Sequence, residues 1–240
     1  MLVRKLLNFF KKVFALFLFL FNPRKQAIEH NLERLGVEHH KGRLAFQTYY
    51  NLFNAYLMLL IYTLFKKRPL FTIYNEDYLK TGKIFVSIHY GPWDLALRLV
   101  YEKYPFVSVV GKRDFLNVLR EKQGIRLIYS TDGFLKIAEL AKKERMAIML
   151  DRTFYEKGIF IPVGKSKLKI SRAAIMLARR TKQDIFFIRT VGKDDTISLY
   201  IEKIPCDSFE SMLKGVSDMI NRTVLDDPSW WLNFFTTWKK

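Results

Sequence analysis

The chain has 240 residues, enough for one domain with a short appendage, and half of them are hydrophobic, so that a sizeable core can form. Its formal net charge of +18 predicts an anionic partner, which could be a nucleic acid, a negatively charged membrane leaflet or an acidic protein. A single cysteine, Cys206, excludes an intrachain disulfide and is compatible with a reducing compartment.

The first 25 residues form a basic and apolar segment. They contain six Lys or Arg and no acid, their apolar residues recur at helical spacing, and residues 13–21 are wholly apolar. Nine apolar residues are too few to cross a bilayer, which needs roughly 20, and no cleavage site of small residues follows. We therefore expect residues 1–22 to form a membrane-anchoring helix that lies in, or dips through, an anionic leaflet. The alternative is a helix that covers the core of the protein itself.

Helical and strand patterns alternate through residues 23–240, which we expect to form the main domain. In chain order the patterns predict helices over 26–35 and 43–65, strands over 70–74 and 83–88, a helix over 94–104, a strand over 106–110, a helix over 115–123, a strand over 126–129, a helix over 133–143, strands over 146–150 and 159–163, a helix over 171–181, strands over 185–191 and 196–201, and a helix over 208–225. Such alternation predicts an α/β fold with a mostly parallel central sheet flanked by helices.

Reactive side chains follow two of the predicted strands. His89 comes directly after the apolar strand that ends at Ile88, and Asp151 and Arg152 follow the strand that ends at Leu150. In parallel sheets of this kind, ligands and chemistry collect at the carboxyl ends of the strands. We therefore expect these residues to share one edge of the sheet.

His89 and Asp94 are separated by a short segment in which Gly91 and Pro92 predict a tight turn. Asp94 falls at a helix N-terminus, which favours an ionised carboxylate. A carboxylate that binds one imidazole nitrogen fixes the tautomer and leaves the other nitrogen as a base for a hydroxyl proton. The alternative makes Asp94 an ordinary N-cap and His89 a satisfied turn histidine, and the spacing alone does not separate the two.

Five blocks, in order, resemble the lipid A biosynthesis acyltransferases, a family within the lysophospholipid acyltransferase superfamily. Residues 89–94 resemble the H-x4-D/E motif, and residues 109–124, 149–164 and 171–181 resemble the blocks that follow it. Residues 228–239 resemble the Pro-x-x-Trp tail of the family. The chain departs from the usual motifs at Pro92, where the family has Asn, and at Arg152, where it has Gln.

The resemblance implies that residues 23–240 are the catalytic domain of an O-acyltransferase. Such an enzyme moves a fatty acyl chain from a thioester of acyl carrier protein or coenzyme A to a hydroxyl of a lipid A precursor or related lipid. His89 would be the general base and Asp94 its orienting carboxylate. The residues expected to bind substrate are Arg113, Arg120, Asp151, Arg152 and Gly164. No metal, other cofactor or nucleic acid is expected, and the expected location is the cytoplasmic face of the bacterial inner membrane, peripheral or anchored by one helix.

The competing interpretation is a non-enzymatic basic protein that binds an anionic membrane or nucleic acid. The net charge supports it equally well, although the sequence has no RNP, KH, zinc-finger or helix-turn-helix signature. Residues 152–182 contain nine Lys or Arg and one acid. This run predicts either a solvated face or a platform for an acidic carrier or a phosphorylated head group.

Overall fold

The structure is a computed structural model. It describes residues 2–21, 24–111, 114–152, 158–193, 196–232 and 238, and for residues 2–8, 115 and 119 it describes the backbone alone.

The chain forms a mixed α/β fold, which confirms the predicted fold class. Its helices are α1 (Leu2–Phe21), α2 (Lys25–Leu35), α3 (Lys41–Phe65), α4 (Asp77–Thr81), α5 (Trp93–Lys103), α6 (Phe115–Lys122), α7 (Phe134–Lys143), α8 (Ala173–Thr181) and α9 (Phe209–Asp226). Its strands are β1 (Leu70–Tyr74), β2 (Ile84–Ser87), β3 (Val107–Val110), β4 (Arg126–Tyr129), β5 (Met146–Met149), β6 (Ile159–Val163), β7 (Ser166–Ile170), β8 (Ile185–Lys193) and β9 (Thr196–Ile204).

The central sheet has the strand order β1-β9-β8-β2-β5-β3-β4. Strands β8 and β9 pair antiparallel, and the other neighbouring pairs of this sheet are parallel. The mostly parallel sheet is therefore confirmed. Strands β6 and β7 form a separate antiparallel hairpin, of which the sequence predicted only β6.

Strands β2 and β5 lie side by side at the middle of the sheet, and their register positions the residues that follow them. Ser87 of β2 pairs with Met149 of β5 in the parallel ladder. The residues two positions further on, His89 and Asp151, are therefore brought to the same point at the carboxyl edge of the sheet. The backbone N–H of Leu150 donates to the carbonyl of Ser87 at 2.8 Å, which continues the ladder past the end of both strands.

Helices cover both faces of the sheet. Strand β2 is buried along its whole length, as expected for a central strand of a parallel sheet. Ile84 and Val86 pack in the larger core cluster, which also contains buried residues of α7, α8 and α9. Phe85 points to the opposite face, where it joins a second cluster with Leu95 and Leu99 of α5. Apolar side chains therefore pack on both faces of the strand that leads to His89.

The N-terminal helix α1 both covers part of the protein and exposes apolar surface. Ala15 is fully buried, and with the half-buried Leu18 and Phe19 it packs in a third cluster with residues of α2 and α3. Large apolar side chains remain exposed along the rest of α1, namely Phe9, Phe10, Val13, Phe14, Leu16, Phe17, Leu20 and Phe21. Within the described ranges, no helix has the length and apolar character needed to cross a membrane.

Candidate active site

A histidine–aspartate pair lies at the carboxyl edge of β2 and β5. The Nδ1 atom of His89 lies 2.7 Å from Oδ1 of Asp151, and the backbone N–H of His89 donates to both carboxylate oxygens at 3.1–3.2 Å. Asp151 is completely buried and His89 nearly so. Because an ionised carboxylate can only accept hydrogen bonds, Nδ1 carries the imidazole proton and Nε2 is left with its lone pair. A histidine in this state can act as a general base.

The buried Asp151 carboxylate is held in its charged form by its neighbours. Burial raises the pKa of the carboxyl group, but the electrostatic interaction and hydrogen bond with His89, the charge of Arg152 and the hydrogen bond of the Trp231 indole lower it. The lowering effects outweigh burial, and the pKa lies below its usual value of 3.8. Trp231 donates its indole N–H at 2.9 Å to Oδ2, the carboxylate oxygen that does not bind the imidazole.

The prediction that Asp94 orients His89 is corrected by this geometry. The Asp94 carboxylate accepts hydrogen bonds from Arg120 instead, from Nε at 3.1 Å and from Nη2 at 2.8 Å. Sequence proximity favoured Asp94, whereas the parallel register of β2 and β5 brings Asp151 to the imidazole instead. Asp94 lies in the first turn of α5, where its carboxylate binds Arg120 of α6.

Trp93 connects the pair to Arg120. The Trp93 ring meets the His89 ring edge-on, with centroids 4.8 Å apart, and the Arg120 guanidinium lies 5.0 Å from the centroid of the same Trp93 ring. Arg120 also donates to the buried Asn117 side chain at 2.6 Å. The guanidinium is therefore fixed by a carboxylate, an amide and an aromatic face, and its side chain remains 19% exposed. Arg120, which the sequence analysis expected to bind substrate, is thus linked to His89 through the Trp93 ring.

Tyr56 of α3 belongs to the same edge. Burial raises the pKa of its phenol, and the charge of Asp94 raises it further, while Arg152 and Arg120 act in the opposite direction. Tyr56 therefore lies within the electrostatic range of both arginines and of Asp94. Its side chain is 42% exposed, so this part of the edge opens to solvent.

In the turn between β2 and α5, Gly91 has a constrained backbone whose N–H is hydrogen-bonded within the protein. Gly91 adopts a φ of +67°, and a Cβ there would lie 2.2 Å from the carbonyl oxygen of Thr190. The Gly91 N–H donates to the carbonyl of Trp230 at 3.0 Å. This N–H is therefore already paired within the protein.

The remaining predicted substrate-binding residues have different surroundings. Arg152 is half-buried beside Asp151 and donates to the carbonyl of Leu232 at 3.1 Å. Gly164 lies in the turn of the β6–β7 hairpin, where its N–H donates to Asn221 of α9 and where a Cβ would lie 2.6 Å from the backbone of Leu35. These contacts give Gly164 a structural role in the turn rather than a place beside His89. Arg113 lies outside the described residues.

The basic run at residues 152–182 does not form one continuous face. Arg152 points to the carboxyl edge of the sheet, Lys165 pairs with Glu38 of the segment after α2, and Lys167 is exposed on the outer side of the hairpin. The exposed Arg179 and Arg180 lie at the C-terminal end of α8, directly before β8 begins. Of the described residues in this run, Arg152 is the one whose positive charge lowers the pKa of Asp151.

A surface cleft of about 640 Å³ lies at the opposite edge of the sheet, between the end of α8 and the start of α9. It contains Cys206, whose thiol pKa is raised by burial, which favours the protonated thiol over the nucleophilic thiolate. The cleft holds none of the predicted site residues. In the described part of the chain, no group of three or more His, Cys, Asp or Glu side chains is placed to hold a metal ion.

Trp231 is a residue of the histidine–aspartate site that the sequence did not identify, as are Trp93 and Tyr56 around it. The tail was recognised only as a block of the resemblance, because the sequence does not say where the end of the chain packs. The structure brings it against β2, where Tyr90 and Trp231 form an antiparallel bridge and the Leu232 N–H donates to the carbonyl of His89 at 2.7 Å. The sequence did contain one signal, the adjacent Trp230 and Trp231 shortly after Pro228. A buried tryptophan normally donates its indole N–H to an acceptor, so these residues could have been expected to bind a buried polar group.

Comparisons with known proteins identify a family for this chain. The family model described as "Bacterial lipid A biosynthesis acyltransferase" matches residues 2–240. No curated protein matches the chain significantly by sequence. Among solved structures, the 1-acyl-sn-glycerophosphate acyltransferase PlsC from Thermotoga maritima is similar, with 14% identity and a TM-score of 0.48 over 93% of this chain and 98% of that one. The chain is an acyltransferase that acts on lipids rather than a non-enzymatic basic protein, and it belongs to the bacterial lipid A biosynthesis acyltransferase family.

Proposed function

We propose that the protein transfers a fatty acyl chain from an acyl thioester to a hydroxyl group of a lipid A precursor or related lipid, with His89 as the general base. The observation that carries the proposal is the buried pairing of His89 Nδ1 with Asp151, at 2.7 Å. It leaves Nε2 unprotonated, and among the described residues no protein group hydrogen-bonds to that nitrogen. Nε2 is therefore available to a substrate hydroxyl.

The reaction follows from that arrangement. Nε2 takes the proton of the acceptor hydroxyl as its oxygen attacks the thioester carbonyl carbon. The new C–O bond forms, and a tetrahedral intermediate carries the negative charge on the former carbonyl oxygen. When the intermediate collapses, the C–S bond breaks and the thiolate leaves with the proton held on Nε2. Asp151 stays ionised throughout and stabilises the imidazolium that exists between the two transfers.

Arg120 is the group best placed to stabilise the negative charge of the intermediate. Its guanidinium is fixed by Asp94, Asn117 and the Trp93 ring, and Trp93 in turn contacts His89. A cation held in advance of the reaction stabilises developing charge without reorganisation. Asp94 is accordingly proposed to act by holding Arg120, which keeps it in the site as a positioning residue in place of its predicted contact with His89.

The charges around the pair support an anionic substrate. Arg152 and Arg120 both lie at the carboxyl edge, and arginine binds phosphate groups through paired hydrogen bonds. Phosphorylated lipid head groups and the phosphopantetheine of acyl carrier protein or coenzyme A share that chemistry. The donor is therefore proposed as an acyl thioester of either carrier.

The exposed apolar side chains of α1 support attachment to a membrane surface. Those side chains share a helix with Lys11 and Lys12, and Lys11 reaches Asn54 of α3 at 2.6 Å. Apolar residues beside basic ones are the composition of helices that lie in anionic leaflets. We propose the cytoplasmic face of the bacterial inner membrane as the location, with α1 lying on the membrane as the anchor of the catalytic domain.

Lipid mass spectrometry tests the proposed reaction. Cells that produce the protein, its His89→Ala variant or its His39→Ala variant are extracted, and their lipids are compared. The proposal expects lipids with one additional ester-linked acyl chain in cells with the native or His39→Ala protein, because His39 is exposed and remote in sequence from the pair. Equal lipid profiles for His89→Ala and the native protein would contradict it.

A further inference from the structure

The C-terminal tail is attached to the catalytic pair at three points. Leu232 donates its backbone N–H to the carbonyl of His89 at 2.7 Å, and Trp230 accepts the Gly91 N–H at 3.0 Å. Between them, Trp231 donates its indole N–H to Asp151 at 2.9 Å. The tail thus contacts the backbone at His89 and at Gly91, two residues further on, and, through one side chain, the carboxylate that orients the imidazole.

The tail itself is held firmly in place. Ser229 is buried, and its hydroxyl accepts a hydrogen bond from the Asn51 amide of α3 at 2.9 Å and donates one to Asp227 at 2.6 Å. Trp231 is 4% exposed, and its ring meets that of Trp238 edge-on with centroids 5.8 Å apart. A donor fixed in this way costs little further ordering when it binds a buried carboxylate.

We infer that Trp231 is a positioning residue of the acyl transfer, whose indole N–H fixes the rotation of the Asp151 carboxylate so that Oδ1 faces Nδ1 of His89. The two carboxylate oxygens thereby have different side-chain partners: Oδ1 accepts the hydrogen bond of the imidazole N–H, and Oδ2 accepts that of the indole N–H. Without the indole, the carboxylate keeps its contacts with His89 but loses this hydrogen bond to Oδ2. This inference rests on the proposed role of His89 as the base.

A second tryptophan provides a matched control. Trp238 is also buried, and its indole N–H donates to the Asn31 side chain at 2.7 Å instead of to the catalytic pair. Trp231→Phe and Trp238→Phe each remove one buried indole hydrogen bond. The charged and titratable groups around the pair are the same in both variants, namely Arg152 beside Asp151, Asp94 of α5, Arg120 of α6 and Tyr56 of α3. Only the Trp231 variant removes a donor from Asp151.

Steady-state kinetics and histidine NMR test the inference on the purified full chain. A hydrogen bond to a charged group is worth enough to change kcat by roughly 10- to 100-fold, and we expect Trp231→Phe to lose that much with KM changed less than about twofold. Loss of a hydrogen-bond donor to the Asp151 carboxylate favours the protonated form of the His89–Asp151 pair. The acid limb of the kcat/KM profile should therefore move to higher pH. Trp238→Phe should show neither change.

The NMR titration keeps this inference separate from the proposed function. The chain has four histidines, and the signal that is missing in His89→Ala identifies that of His89. A His89 titration that shifts in Trp231→Phe but not in Trp238→Phe would support the positioning role of Trp231 even if no acyl transfer were detected. In that case the proposed function would fail and this inference would stand. If Trp231→Phe does not fold, benzothienylalanine at position 231 removes the N–H while keeping the shape of the ring. An unshifted titration and equal kcat losses in the two tryptophan variants would overturn the inference.

Discussion

Replacement of Asp151 by Asn tests the catalytic pair at its least exposed point. The carboxylate is completely buried and accepts hydrogen bonds from the backbone N–H of His89, from its Nδ1 and from the Trp231 indole. An amide of the same size offers one acceptor and one donor. With the indole N–H held on one side, the NH2 group either opposes that donor or points at His89 Nδ1.

The expected loss can be derived from the tautomer. An NH2 group that faces Nδ1 favours the imidazole in which Nδ1 accepts and Nε2 carries the proton, and that form cannot take a proton from a hydroxyl. The same carboxylate-to-amide change beside the histidine of a serine protease lowers kcat by about 10⁴-fold. We expect a loss of roughly 10³- to 10⁴-fold here, which corresponds to about 4–5.5 kcal/mol of activation free energy.

The assay is single-turnover transfer from a radiolabelled acyl thioester, with circular dichroism to establish that each variant is folded. Asp184→Asn is the matched control, because Asp184 is half-exposed and pairs with Lys203 at the opposite edge of the sheet. It should retain the native rate. A folded Asp151→Asn enzyme with a rate within about tenfold of the native one would refute the assignment of Asp151 as the orienting carboxylate.

Further predictions concern the neighbours of the pair. Asp94→Asn should lower kcat/KM less than Asp151→Asn does, by about 10- to 100-fold, and Arg120→Lys should behave similarly because lysine cannot replace the paired contacts. Gly91→Ala places a Cβ 2.2 Å from a carbonyl oxygen of β8 at a φ of +67°, and should lower the thermal midpoint in calorimetry by several degrees or prevent folding. Because the pKa of Asp151 is lowered on folding, the ionised carboxylate stabilises the folded state fully above the unfolded pKa of 3.8, and this contribution fades as the pH falls through the folded pKa. The free energy of unfolding in urea should therefore depend less on pH between pH 2 and 5 in Asp151→Asn than in the native protein. Deletion of α1 should abolish sedimentation with anionic vesicles while circular dichroism of the remainder is retained, and loss of the folded signal would instead make α1 part of the core.

The secondary structure was largely predictable because it depends on local patterns. Strand β1 and strand β4 have the predicted bounds, and helix α3 differs from its prediction by two residues at its start. The short helix α4 was missed because five residues are too few for a helical period to be recognised. Strand β7 was missed because its lysines alternate with Leu168 and Ile170 in a segment that was interpreted mainly for its charge.

The site was predictable in part, and the limits are physical. The sequence placed His89 and Asp151 at one edge of the sheet, since both follow apolar strands. It did not contain the strand order, and only the adjacency of β2 and β5 makes Asp151 the partner of the imidazole. In the absence of that information, the nearest carboxylate in sequence was Asp94. The contact of Trp231 with Asp151 spans 80 residues and depends on how the tail packs, which no local pattern encodes.

Acyl transfer by purified protein is the most direct test of the central claim, that His89 is the base of an acyl-thioester:lipid O-acyltransferase. The native protein, His89→Ala and the control His39→Ala are each given acyl carrier protein or coenzyme A thioesters and a lipid A precursor, and the ester product is quantified by mass spectrometry. A positioned general base contributes ~10²–10⁴-fold, so His89→Ala should lose at least ~10²-fold in kcat while His39→Ala keeps the native rate. A folded His89→Ala protein that forms the ester as fast as the native enzyme would contradict the claim.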